Sequence, residues 1–349
     1  MSISTDITRL FKIQHPIFLA GMNVAAGPEL AAAVTNAGGL GVIGGVGYTP
    51  KFLKQQVRLL KQDLKDKNAP FGIDLLIPQI GEGARPTNYD YTHGHLSELI
   101  DVVIEEKAAL FVCAIGVPPT EVVDRLHKAG IPVMNMIGHP KHVARALKQG
   151  VDIICAQAGE GGGHTGDTPF TILIPACLDA LKGAKSPLTG QQVPLVAAGA
   201  MYDGRGLAAA LSYGAQAVWV GTRFVASVEA GAPKAHKNAV LAAGHGDAIR
   251  TLIYTGRPLR VGRTPYVDDW EANRQAEIKE LTSQGKIPFD LELQKDPKLL
   301  TKGQAYLMGS VSAVIHDVLP AKTIIDSMVK EAVERLQTTS KLVKVQARL

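Results

Sequence analysis

Apolar positions in this chain come in short blocks separated by turn residues, never in one long stretch. Eight blocks read as strands: 16–21, 40–45, 71–77, 109–115, 132–138, 152–157, 194–200 and 217–224. Most are apolar almost without alternation, as parallel strands covered on both faces require. Between them, apolar residues recur three and four apart, the spacing of amphipathic helices. "GPELAAAVTNAGG", "HLSELIDVVIEEK", "TEVVDRLHKAG", "KHVARALKQG" and "DGRGLAAALSYGA" are such segments, the first opened by Pro28 and most of them closed by glycine. Thr120 and Asp203 are expected as N-caps, since their side-chain oxygens can accept from the first free N–H groups of a helix.

Eight strand–helix alternations fit an open doubly wound sheet or a closed cylinder. An open dinucleotide-binding sheet carries its glycine fingerprint after the first strand, and "AGMNVAAG" does not match it. Even spacing and a phosphate-type loop late in the chain predict an α/β fold of the (β/α)8 TIM-barrel type. The rhythm stops after "RFVASVEAGA", where the chain turns polar and irregular around a helix-like "VDDWEANRQAEIKEL". The expected division is a barrel formed by 1–230 and 303–349, the latter supplying one short and one long closing helix, with 231–302 an insertion packed over the barrel mouth.

In such a barrel the chemistry gathers at the C-terminal strand ends. Strands seven and eight end in Gly199-Ala200 and Gly221-Thr222, each opening towards a helix. Backbone N–H groups from two such turns, with the Thr222 hydroxyl, can converge on one phosphate. The sixth strand ends in "CAQAGEGGGHTGD". Here Gln157 offers an amide that both donates and accepts, Gly161, Gly162 and Gly163 let backbone approach a flat ring, and His164 follows directly. A neutral imidazole so placed is a candidate base.

"AQAGEGGGHTG" resembles the signature of the nitronate monooxygenase family, formerly the 2-nitropropane dioxygenases. "PELAAAVTNAGGLGVIGG" and "AAGAMYDGRGLAAALSYGAQAVWVGTRF" are also similar to that family, in the same order. The resemblance implies a barrel binding FMN without a metal and oxidising alkyl nitronates, and neutral nitroalkanes through His164 as base, with O2 to a carbonyl compound and nitrite. It implies cofactor contacts at Ala20, Gly21, Met22, Asp74, Gln157, Gly162, Gly163, Gly199, Ala200, Trp219, Val220, Gly221 and Thr222. The family usually has Pro at position 21, Asn at 74, and Thr or Ser near Asn135-Met136. An FMN-dependent NAD(P)H oxidoreductase acting on a quinone or an enoyl thioester stays open on the same barrel, as does a non-catalytic flavin carrier. An IMP dehydrogenase-like enzyme needs a nucleophilic Cys in the sixth loop, which this loop lacks.

Composition narrows the partners. The formal charge is +5 with a pI near 9.0, but Lys and Arg are scattered rather than gathered into a nucleic-acid stripe. A mild positive field favours an anionic substrate. Cys113, Cys155 and Cys177 are too few and too far apart for a disulfide framework, so buried reduced thiols are expected. His139 with His142, and His93 with His95, are read as surface residues without metal-ligand spacing. No apolar run approaches a membrane span, and "MSISTDITRLFKI" carries no signal peptide, so a soluble cytoplasmic protein is expected, with a homodimer as its assembly. Ala347-Arg348-Leu349 resembles a Ser-Lys-Leu peroxisomal address, meaningful only in a eukaryotic source.

Overall fold

The computed structural model describes residues 2–343, so the terminal Ala347-Arg348-Leu349 lies outside the described residues. Eight parallel strands form the sheet: β1 (Ile17–Leu19), β2 (Gly41–Gly44), β3 (Phe71–Leu76), β4 (Leu110–Ala114), β5 (Val133–Ile137), β6 (Ile153–Gln157), β7 (Leu195–Ala198) and β8 (Ala217–Val220). Each pairs with its sequence neighbour, and β8 returns to β1 with Phe18 opposite Trp219. The seam between β1 and β2 is closed by a parallel bridge from Phe18 to Leu40, with the Leu19 N–H donating to the Leu40 carbonyl at 2.9 Å. The sheet is thus a barrel, as the eight blocks predict.

Alternation along the strands separates two cores. Phe18, Val42, Leu110, Val112, Met134, Ile153, Cys155, Val196 and Trp219 fill the lumen, while Ile17, Ile73, Phe111, Val133, Ile154, Leu195 and Val218 face the helices. Both sets are buried, so these strands need no polar face. The N-terminal end is plugged by helix Asp6–Phe11, whose Phe11 meets Phe18 edge-on with centroids 5.6 Å apart. The long helix Ala321–Ser340 lies against helix Gly204–Tyr213, and a Cβ on Gly204 would sit 2.5 Å from the Ala332 nitrogen, so glycine permits this approach.

Two sequence expectations change. Thr120 is the first residue of its helix and Pro119 the N-cap; the Thr120 hydroxyl donates to Gln149 Oε1 at 2.6 Å and caps nothing. The "VDDWEANRQAEIKEL" segment is two helices, Pro265–Asn273 and Gln275–Ser283, broken at Arg274. Asp203 does cap its helix, accepting from the Gly206 N–H at 3.1 Å.

The segment after β8 has a small core of its own, Ile253, Leu259, Val261, Val267, Trp270 and Ile278. Its strands Ala248–Thr251 and Leu259–Gly262 pair antiparallel, and the second also pairs with a two-residue strand, Gly163–His164, from the loop after β6. This three-stranded sheet joins the segment to the C-terminal end of the barrel. Among the described residues no helix is long and apolar enough to cross a membrane.

Candidate active site

The strand ends open into a cavity of about 1270 Å³. All the residues expected at the cofactor line it except Val220, whose side chain lies in the outer core and whose carbonyl accepts from the Ala20 N–H at 2.9 Å. His164 lines the same cavity.

The triple glycine is explained by protein contacts. A Cβ on Gly162 would lie 2.6 Å from the carbonyl carbon of Met308 and 2.7 Å from the Gly309 nitrogen; one on Gly161 would lie 3.0 Å from the Gln157 side chain. Only Gly163 faces open space, and it sits at φ +69°, a left-handed turn that glycine adopts without strain. All three glycines line the cavity, and the protein itself also requires them: two admit neighbouring chain and the third makes the turn. The Gln157 amide nitrogen donates to the His164 carbonyl at 2.6 Å, so its donor side anchors this loop instead of being free for a ligand. From the far side, Arg260 donates to the Gly159 carbonyl through Nε at 3.0 Å and Nη2 at 2.8 Å.

The resulting position of His164 fixes its chemistry. Its Nε2 lies 3.1 Å from the Thr255 hydroxyl. Burial, and then the positive charge of Arg257, pull its pKa from 6.5 down to about 4, so the imidazole is neutral at ordinary pH. Arg257 is held across the mouth, donating to Asn88 Oδ1 at 2.8 Å and to the Ile115 carbonyl at 3.2 Å. Thr255 and Arg257 were not legible in the sequence. They sit in "YTGRP", whose only local signal is a Gly and a Pro marking a turn.

Asp74 points into the lumen from β3 at 3% exposure, with Oδ1 unpartnered, and burial raises its pKa from 3.8 to about 8. Its carboxyl occupies the space that a side chain on Gly21 would need. Asn135 also lines the cavity, and its amide donates to the Cys113 and Gly116 carbonyls at 2.9 and 2.7 Å, bracing the turn after β4. His139 and His142 stand at the cavity rim, and the His139 ring accepts from the Lys141 N–H at 3.0 Å.

At the end of β7, Gly199 and Ala200 both take positive φ, +86° and +57°, a left-handed turn at the cavity wall. The Thr222 hydroxyl accepts from the Gly309 N–H at 2.9 Å, which leaves its own proton to donate. The first of the two expected helix N-termini is closed, however: Glu331 accepts from Gly204 N–H at 2.8 Å, beside the Asp203 cap. Anion capacity here therefore rests on the turns and the Thr222 hydroxyl. A Cβ on Gly221 would lie 3.5 Å from Ala20 and 3.6 Å from the Met22 sulfur, so β1 and β8 end side by side next to the turns. Main-chain donors beside an apolar floor of Ala20, Met22 and Trp219 fit a phosphomonoester attached to a flat ring.

A model of the nitronate monooxygenase family matches residues 4–331. The chain belongs to the nitronate monooxygenase family. It is 32% identical to a (3aS,4S,5R,7aS)-5-hydroxy-7a-methyl-1-oxo-octahydro-1H-indene-4-carboxyl-CoA dehydrogenase of Mycobacterium tuberculosis, over 99% of this chain and all of that one. Among solved structures it resembles FabK from Thermotoga maritima, with a TM-score of 0.79 and 28% identity over 98% of this chain and all of that one. It also resembles the nitroalkane oxidase of Streptomyces ansochromogenes, with a TM-score of 0.77 and 26% identity over 96% of this chain and 99% of that one. As a member of the nitronate monooxygenase family it is an enzyme, a flavin-type oxidoreductase on a barrel acting on small molecules.

Proposed function

We propose that the protein uses FMN to oxidise alkyl nitronates with O2 to a carbonyl compound and nitrite. The observation that carries this reading is a neutral His164 beside the Arg257 cation on one cavity wall. Gly199, Ala200, Gly221 and Thr222 would hold the FMN phosphate, and Ala20, Gly21, Met22, Asp74, Gly162, Gly163 and Trp219 the ring. Bound FMN supplies a two-electron acceptor that O2 returns to its oxidised form. His164 takes the α-proton of a neutral nitroalkane, and Arg257 stabilises the anion that results, or receives a nitronate already formed. The rim around Thr255 and Arg257 limits water beside the base.

The test begins with an absorbance spectrum of the purified protein, followed by oxygen uptake with a nitronate. Flavin absorption and nitronate-dependent uptake are expected. His164→Ala should keep the flavin, lose about 10²- to 10⁴-fold in rate on a neutral nitroalkane, and lose far less on the preformed nitronate. A protein that stays colourless after reconstitution with FMN ends this reading.

A second reading, flavin-dependent redox chemistry on an acyl thioester, is supported by full-length similarity to a CoA dehydrogenase and by a cavity larger than a nitronate needs. Its α-proton would fall to the same His164. Rapid anaerobic bleaching of the flavin by NADH or NADPH favours a reductase of this kind over an oxidase.

A further inference from the structure

Charge around the cavity is uneven. Five of its lining residues are Lys or Arg (Arg85, Lys141, Arg145, Arg250 and Arg257), against Asp74, Glu160 and Asp167. The three acids are already spoken for. Asp74 is uncharged at neutral pH, Glu160 accepts from the Phe170 N–H at 3.2 Å through both oxygens, and Asp167 lies 3.9 Å from Arg250. Among the described residues, no carboxylate comes within 4.0 Å of Arg85, Lys141, Arg145 or Arg257.

Those four cations are grouped by the fold. Arg85 lies in the loop after β3, Lys141 and Arg145 follow β5, and Arg257 is tied by its hydrogen bonds to the loops after β3 and β4. Arg145 donates to Gln79 Oε1 at 3.2 Å, joining the β3 and β5 loops into one rim. Like charges add to burial within it: burial first and then the charge of Arg85 lowers the pKa of Arg257, and burial first and then Lys141, His139 and Arg145 lower that of His142. Barrel order sets this rim across the mouth from the turns ending β7 and β8. A phosphate held at those turns does not answer it. Mutually repelling cations without a counter-charge mark a site completed by an anionic ligand.

We propose that Arg85, Lys141 and Arg145 form a second anion subsite, which takes the phosphate groups of a nucleotide-tailed substrate whose other end reaches His164 beside Arg257. The subsite rests on the FMN reading above, which places the cofactor phosphate on the opposite rim. Two molecules share the required chemistry, an acyl thioester of coenzyme A and a reduced nicotinamide nucleotide. The rim cations and His164 line one cavity of about 1270 Å³, far more than the few heavy atoms of a nitronate fill.

Titration calorimetry of the FMN-loaded protein with coenzyme A and with NADPH tests this, comparing wild type with an Arg85→Ala/Lys141→Ala/Arg145→Ala variant. All three side chains are exposed, so the fold should survive; Lys141→Glu alone provides a second, single-site comparison. One ligand is expected to bind, to weaken about tenfold or more in the triple variant, and to weaken as salt rises from roughly 50 to 300 mM. Binding of coenzyme A identifies a thioester substrate, and binding of NADPH a hydride donor. The subsite is overturned if neither ligand binds, or if both variants bind as wild type does. Loss of FMN from the triple variant also overturns it, because the rim would then serve the cofactor. A wild-type protein that cannot hold FMN, yet binds coenzyme A through these residues, overturns the flavin reading and leaves the subsite standing.

Discussion

A carboxyl group on the lumen face of β3 has lost nearly all contact with water and gained no donor for one of its oxygens. Asp74 consequently holds its proton up to about pH 8, against 3.8 when the chain unfolds. A pKa raised by folding contributes stability that is complete below the unfolded value and is lost as pH rises through the folded one. His164 runs the other way: its lowered pKa costs stability as pH falls from 6.5 towards 4. Between pH 6.5 and 8 only Asp74 of this pair changes, so the melting temperature should decline there in wild type and stay flatter in Asp74→Asn. Parallel melting profiles for the two proteins would show that the carboxyl is not buried as described. The sequence singled out Asp74 as a departure from the family pattern. It could not show the missing donor, because that depends on what β4, β6 and Gly21 place around it.

At the scale of elements, the barrel was legible because each strand is apolar on both faces and bounded by turn residues. The observed strands fall inside the eight predicted blocks, trimmed at their ends where Gly, Pro or a loop residue leaves the ladder. The segment after β8 was illegible for the opposite reason. Its core residues, from Ile253 to Ile278, come from a turn, one strand and two helices and share no period. The glycine run after β6 was visible as a signal, but its cause lay in Met308-Gly309, almost 150 residues away in sequence. That separation makes a prediction. Gly162→Ala puts a methyl against the Met308-Gly309 backbone, costing roughly 1–3 kcal/mol and drawing Gly309 off the Thr222 hydroxyl. Both a lower melting temperature and weaker FMN retention are expected. Gly163→Ala has room for its methyl and meets only the positive φ, about 1 kcal/mol, so it should retain FMN better. Equal FMN retention in the two variants would contradict the role given to the Gly162 contact.

Across the whole molecule, the barrel supplies the imidazole and the segment after β8 supplies its electrostatic setting. Arg257 makes that coupling measurable, because it is the second cause of the low His164 pKa, after burial. In wild type, protonation of His164 should cut kcat/KM for a neutral nitroalkane only near pH 4, well below the 6.5 of a free imidazole. Arg257→Gln removes the charge and leaves burial in place. The acid limb should therefore move up, yet stop short of 6.5. Glutamine can still donate to Asn88 or to the Ile115 carbonyl, so the rim keeps a tie between segment and barrel. The same change removes the cation facing the substrate anion. Affinity for a preformed nitronate should fall more than affinity for the neutral nitroalkane, by roughly tenfold for one lost charge-assisted contact. A pH–rate profile for each substrate measures both effects on one variant. If the acid limb stays fixed while nitronate affinity falls, Arg257 binds substrate without tuning the base. If the limb moves and affinity does not, Arg257 tunes the base alone. If neither moves, the segment after β8 covers the site without taking part in its chemistry.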